Sequence, residues 1–101
     1  MRYDMIPAVI GDDTDTVSLA RAECGGNVHV FAERLKFRTR LKPYVRFHRV
    51  SAMSPEIVSM YLNSFANDNQ EYPVLVFASE ASDIASYIEH NCIIWREDLK
   101  N

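Results

Sequence analysis

From Leu35 to His48 the chain alternates apolar and basic positions. Leu35, Phe37, Thr39 and Leu41 interleave with Lys36, Arg38, Arg40 and Lys42. Past Pro43, Val45 and Phe47 interleave with Arg46 and His48. Alternation at every second position is the signature of a half-buried strand. A connection made of Lys42, Pro43 and Tyr44 would pair Leu41 with Val45 and Thr39 with Phe47. It would also set Arg40 opposite Arg46 and Arg38 opposite His48. A shorter connection would mix basic and apolar side chains on both faces, and burial of one face selects the register. The pattern therefore predicts an antiparallel β-ribbon with Lys36, Arg38, Arg40, Arg46 and His48 outside. Leu35, Phe37, Leu41, Val45 and Phe47 would point to the core. The connection lacks the glycine or asparagine that such turns favour.

The remaining elements follow from periodicity and punctuation. Met5 to Ile10 is β-prone, but Pro7 cannot donate to a ladder, so this strand is expected to be short or at an edge. Gly11 to Asp15 reads as a turn. A helix is predicted from Thr16 to Cys24, capped by Asp15 or Thr14 and stopped by Gly25-Gly26. Val28 and Val30 have the opposite parity to Phe31, Leu35 and Phe37, which implies a turn or bulge near Ala32-Glu33-Arg34. Ser54 caps a second helix with Pro55 in its first position. Val58, Tyr61, Leu62 and Phe65 form its apolar stripe, and Asn67-Asp68-Asn69 ends it. Pro73 to Ala78 is a continuous apolar run, as in a central strand buried on both faces. Ser79 opens a third helix with Ala81, Ile84, Ala85 and Ile88 inward, and Cys92 to Trp95 is the last strand. That final strand, helix and strand suit a short parallel crossover. The polar tail from Arg96 is expected to fray. Together these elements predict an α+β fold: a mixed or antiparallel sheet of about four to six strands with two or three helices packed on it. Residues 1–101 are read as a single compact domain.

Charge changes this picture most. The chain carries 11 basic and 14 acidic residues, a net −3. Seven of the basic residues fall between Arg34 and Arg49, with no acid among them. That window is +7 and the rest of the chain −10, from its 4 remaining bases and 14 acids. A cluster of this kind is an electrostatic footprint for an acidic partner. The plain reading is a solvated face, or charges that keep an edge strand from aggregating. Unmixed charge argues against the plain reading, because like charges side by side on a sheet are destabilising. An internal variant would neutralise the ribbon with the chain's own acidic helices.

Other candidate chemistry is thinner. Asp13-Thr14-Asp15-Thr16 resembles the aspartate pair that opens phosphatase-like domains of the haloacid type, but the further motif residues of that fold are absent. Asp12, Asp13 and Asp15 are otherwise a turn and helix cap, with divalent-ion binding as the functional reading. His29, His48 and His90 lack metal-ligand spacing, and Cys24 and Cys92 are read as reduced, intracellular thiols. Cys24 would sit near a helix C-terminus, where the dipole makes it a poor nucleophile. The three glycines form no phosphate loop. Neither a membrane-length apolar run nor a secretory leader is visible, so a cytoplasmic protein is expected.

The sequence thus points to a non-enzymatic small binding protein. It would act as a regulator or inhibitor docking onto a larger protein or nucleoprotein assembly through residues 34–49. Accessory proteins of mobile elements and viruses share this outline. The partner-binding residues would be Lys36, Arg38, Arg40, Lys42, Arg46, His48 and Arg49, with no cofactor and no metal. The first alternative is a direct nucleic-acid-binding domain, against which the net acidity counts. The second is a small metal-dependent enzyme using Asp12, Asp13 and Asp15.

Overall fold

A computed structural model describes residues 2–78 and 81–96. Strands and helices alternate along it: β1 (Ile6–Ile10), α1 (Thr14–Cys24), β2 (Val28–Ala32), α2 (Phe37–Arg40), β3 (Val45–Arg49), α3 (Pro55–Asp68), β4 (Val74–Phe77), α4 (Ala81–Ala85) and β5 (Ile93–Trp95). All four strand pairings are parallel, in the order β3-β2-β1-β4-β5. The chain is therefore an α/β fold with one five-stranded parallel sheet, and the expected mixed or antiparallel α+β sheet is overturned.

Parallel strands need a crossover between them, and crossovers cover both sheet faces. On one face Val9, Val28, Val30 and Leu75 pack with Val17, Ala20 and Cys24 of α1. On the other, Ala8, Phe31, Val74 and Val76 pack with Val58, Leu62, Phe65 and Ala66 of α3 and Ile84 of α4. Buried Val74–Phe77 is the two-sided strand that its unbroken apolar run predicts. Tyr61 lies at the rim of the α3 stripe rather than inside it.

Pro7 does not place β1 at an edge; β1 is central. Gly11 N–H donates to Phe31 O, so odd residues of β1 face β2, while Ile6 N–H donates to Pro73 O on the β4 side. The β1–β2 pairing begins only at Ala8. The missing donor of Pro7 falls before that pairing starts, where the ladder loses nothing.

The alternating segment is the largest departure. Residues 37–40 form one helical turn, and β3 pairs in parallel with β2, so there is no antiparallel ribbon. Leu35, just before the turn, and Thr39, within it, are buried. Phe37, Leu41 and Phe47, expected in the core, are exposed, and His48, expected outside, packs against Phe31. Asp12 decides this outcome. Its carboxylate accepts hydrogen bonds from Lys36 N–H and from Thr39 Oγ1, the latter at 2.5 Å. The Thr39 proton is committed to Asp12, so Thr14 donates across the 3.3 Å contact between the two threonine hydroxyls. Those side-chain bonds satisfy Thr39 although it is wholly buried.

Helix ends follow their local chemistry. Asp13, one residue earlier than expected, caps α1 by accepting from Asp15 N–H and Thr16 Oγ1. Gly25 closes α1 at φ 66, a region that suits glycine. Ser54 caps α3, and Pro55 opens it. The expected start of the third helix at Ser79 lies outside the described residues. Arg96 donates to Glu23 at 2.6 Å, and the rest of the tail expected to fray lies outside the described residues. No helix among the described residues is long and apolar enough to cross a membrane.

Two substitutions test this account. Phe65→Ala should lose about 3–5 kcal/mol of stability, because a ring packed on Phe31 is replaced by a cavity. Thr39→Val should lose about 1–3 kcal/mol by leaving Asp12 short of a donor. Denaturant midpoints of both variants against wild type check the two values.

Candidate functional site

In an open parallel sheet the loops that leave the strand carboxyl ends share one edge. Ligands of such folds gather there, outside the point where strand order reverses. Here that point lies between β1 and β4, and the loop leaving β1 carries Asp12 and Asp13. A helix N-terminus beside it would ordinarily seat a phosphate. At α1 that seat is taken: Asp13 caps the helix and Asp15 occupies its first turn. A phosphate would meet two carboxylates. Among the described residues no group of three His, Cys, Asp or Glu is placed to hold a metal ion. Asp12 serves α2 and Asp13 serves α1. Of the haloacid-like pair, Asp13 is the α1 cap and Asp15 lies in the first turn of that helix.

Positive charge collects one step along the same edge. Arg34 follows β2, Arg49 ends β3 and Arg40 ends α2. With Glu33, Leu35 and Phe47 they line a cavity of about 320 Å³. All three arginines are exposed, and none of their side chains makes a hydrogen bond or ion pair with the described residues. Glu33 is the one described acid in that lining, and it is not ion-paired with them. Phe47, two positions before Arg49 and on the same strand face, is 40% exposed. A larger cavity of about 510 Å³, lined by Tyr3, Asn27, His29, Asn69 and Tyr72 among others, holds no Lys, Arg, Asp or Glu.

The other basic residues are dispersed. Lys36 and Arg38 are exposed at the start of α2. Lys42 lies over the Tyr44 ring, which Arg21 also approaches at 4.8 Å. Arg46 folds back onto Pro43 O and Val45 O. Its side chain and that of His48 leave β3 on the face opposite Phe47 and Arg49. The structure thus brings Arg40 and Arg49 together, adds Arg34, and separates Arg46 and His48 from them.

His48 is turned inward, and no sequence spacing announced its partner. Parallel pairing of β2 with β3 sets its Nε2 2.8 Å from Nδ1 of His29. Phe31 stacks on the His48 ring at 4.4 Å, and Phe65 packs on both imidazoles. Burial pulls the His29 pKa down to about 4, helped by His48 and Arg46. Burial also lowers His48. The pair is neutral at pH 7 and joined by one proton. Cys24 is buried at the end of α1. Burial, then Glu23, pushes its thiol up to about 11, which removes it as a nucleophile.

The chain matches no protein-family model, no curated protein and no solved structure.

The histidine pair makes a pH prediction. Above the unfolded value near 6.5, both states are neutral and pH has no effect through this pair. Below it the unfolded chain binds protons that the folded one refuses, so stability falls as pH drops from 6.5 towards 4. Denaturation at pH 7 and pH 4.5 should show that loss, and His29→Leu should lose less over the same interval.

Proposed function

We propose that this protein is a nucleic-acid-binding domain that contacts phosphates through the carboxyl edge of its sheet on the β2–β3 side. One observation carries this reading: Arg34, Arg40 and Arg49 line one cavity at that edge without an ion-pair partner among the described residues. Guanidinium forks match phosphate geometry, and such contacts position a strand without reading its sequence. Net acidity then sharpens the docking. The −10 outside residues 34–49 repels a nucleic-acid strand from most of the surface and orients it on this edge. A cytosolic setting goes with two free thiols, Cys24 and Cys92.

A second reading keeps the protein as a regulator or inhibitor that docks on an acidic protein. Its support is Phe37 at 70% and Leu41 at 64% exposure, either side of Arg38 on one helical turn. Aromatic residues and arginine are enriched at protein interfaces.

Recovery of partners from lysate, with and without nuclease, separates the two. Nuclease should abolish recovery if the first reading holds; a defined protein retained after nuclease supports the second. Reversing Arg38 and Arg40 to glutamate should leave the fold intact, since both are exposed, and should abolish recovery. For a single strand with about four neutralised phosphates, log K against log salt should slope near −3. Removing Arg34, Arg40 and Arg49 together, as Arg→Gln, should flatten that slope by about 2.

A further inference from the structure

We infer that the cavity between β3 and α2 is a seat for one unpaired base of a single-stranded nucleic acid, with Phe47 as its stacking platform. The inference rests on the nucleic-acid reading above and narrows it to a strand type. Its warrant is the placement of Phe47. An exposed apolar residue on its own calls for no explanation. Phe47 is different in its setting, since Arg34, Arg40 and Arg49 surround it and Glu33 is the one acid lining the cavity. That is three positive charges against one negative, a net +2 around an aromatic ring. Gathering like charges without partners costs stability, so the arrangement is poorly explained by folding alone.

An aromatic face beside a basic rim is what an unstacked base and its flanking phosphates require. A duplex keeps its bases paired and stacked on one another, and offers phosphates but no free base face to a recess. Single strands can splay a base outwards, stack it on phenylalanine and lay the flanking phosphates on arginine. A cavity of about 320 Å³ is large enough to take one base. β3 is also the edge strand of the sheet. Among the described residues no further strand pairs beyond β3, and a passing chain can reach Phe47 from that side. The uncharged cavity at the other end of the sheet provides no rim of this kind.

Binding of the full chain to three probes tests the assignment. These are a short single-stranded oligonucleotide, a hairpin duplex of the same composition, and inorganic polyphosphate. Wild type should bind the single strand more tightly than the duplex. Phe47→Ala should weaken single-strand binding by at least about fivefold and leave polyphosphate binding unchanged. Phe47→Trp should restore affinity, and its indole emission should be quenched by the oligonucleotide beyond the response of Trp95 in wild type. Equal binding of single strand and duplex, or a Phe47→Ala variant that binds like wild type, would overturn this inference while sparing the broader reading. Binding of neither oligonucleotide would overturn both.

Discussion

The hydrogen bonds that Asp12 accepts from Lys36 and Thr39 decide where this chain puts its positive charge. The connection between β2 and β3 spans residues 33–44, which is short for a parallel crossover. A segment so short cannot lay a full helix across the sheet. One turn, α2, is held down instead by a single carboxylate at the end of the central strand. The clamp buries Thr39 and Leu35, and thereby leaves Phe37, Arg38, Arg40 and Leu41 outside. Arg40 then meets Arg34 and Arg49 from the two adjacent strand ends. The acidic loop and the basic segment are thus parts of one device. Through Lys36 N–H and Thr39, Asp12 fixes the helical turn that carries Arg38 and Arg40.

Parallel pairing has a second consequence at the opposite face. The β2–β3 register places Phe31 beside His48 and closes a small polar bond, His29 to His48, under the ring of Phe65. Two half-buried imidazoles share one hydrogen bond, and aromatic rings cover part of their surface. Holding them neutral is the cheaper state, because either cation would be poorly solvated and that of His29 would also be repelled by Arg46. The edge strand β3 therefore has two unlike faces. One is a neutral aromatic cluster beneath α3, and the other carries Phe47 and Arg49 towards the basic cavity. His48 belongs to the first and Arg49 to the second, though they are neighbours in the chain.

Local chemistry told the helix ends, and two-sided burial told β4. Ser54-Pro55 before an apolar stripe marks α3, and Gly25 after Cys24 marks the end of α1, because capping needs only residues close in sequence. The run from Val74 to Phe77 has no polar face to expose, so its interior position was legible. The concentration of charge between Arg34 and Arg49 was equally plain, since counting needs no fold. What alternation could not supply was the distinction between a strand and a loop with one helical turn. Leu35, Thr39, Phe37 and Leu41 fit the period of two, yet only the first two are buried. Pro7 misled in the same way: its missing donor matters only if a ladder partner stands opposite, and none does.

The sequence by itself determined the size of the charge cluster, the Ser54 cap and the Gly25 stop, the buried strand β4 and the absence of a phosphate loop. Those depend on composition or on contacts a few residues long. Tertiary structure alone decided that the sheet is wholly parallel, that Asp12 reaches Thr39 across 27 positions, and that His29 meets His48. It also decided which arginines share a cavity. Strand direction is set by how crossovers pack on both faces of the sheet, a property of many distant residues at once. Once all strands run the same way, their outgoing loops share one edge. Arg34, Arg40 and Arg49, spread over sixteen residues of chain, meet there because their strand and helix ends do.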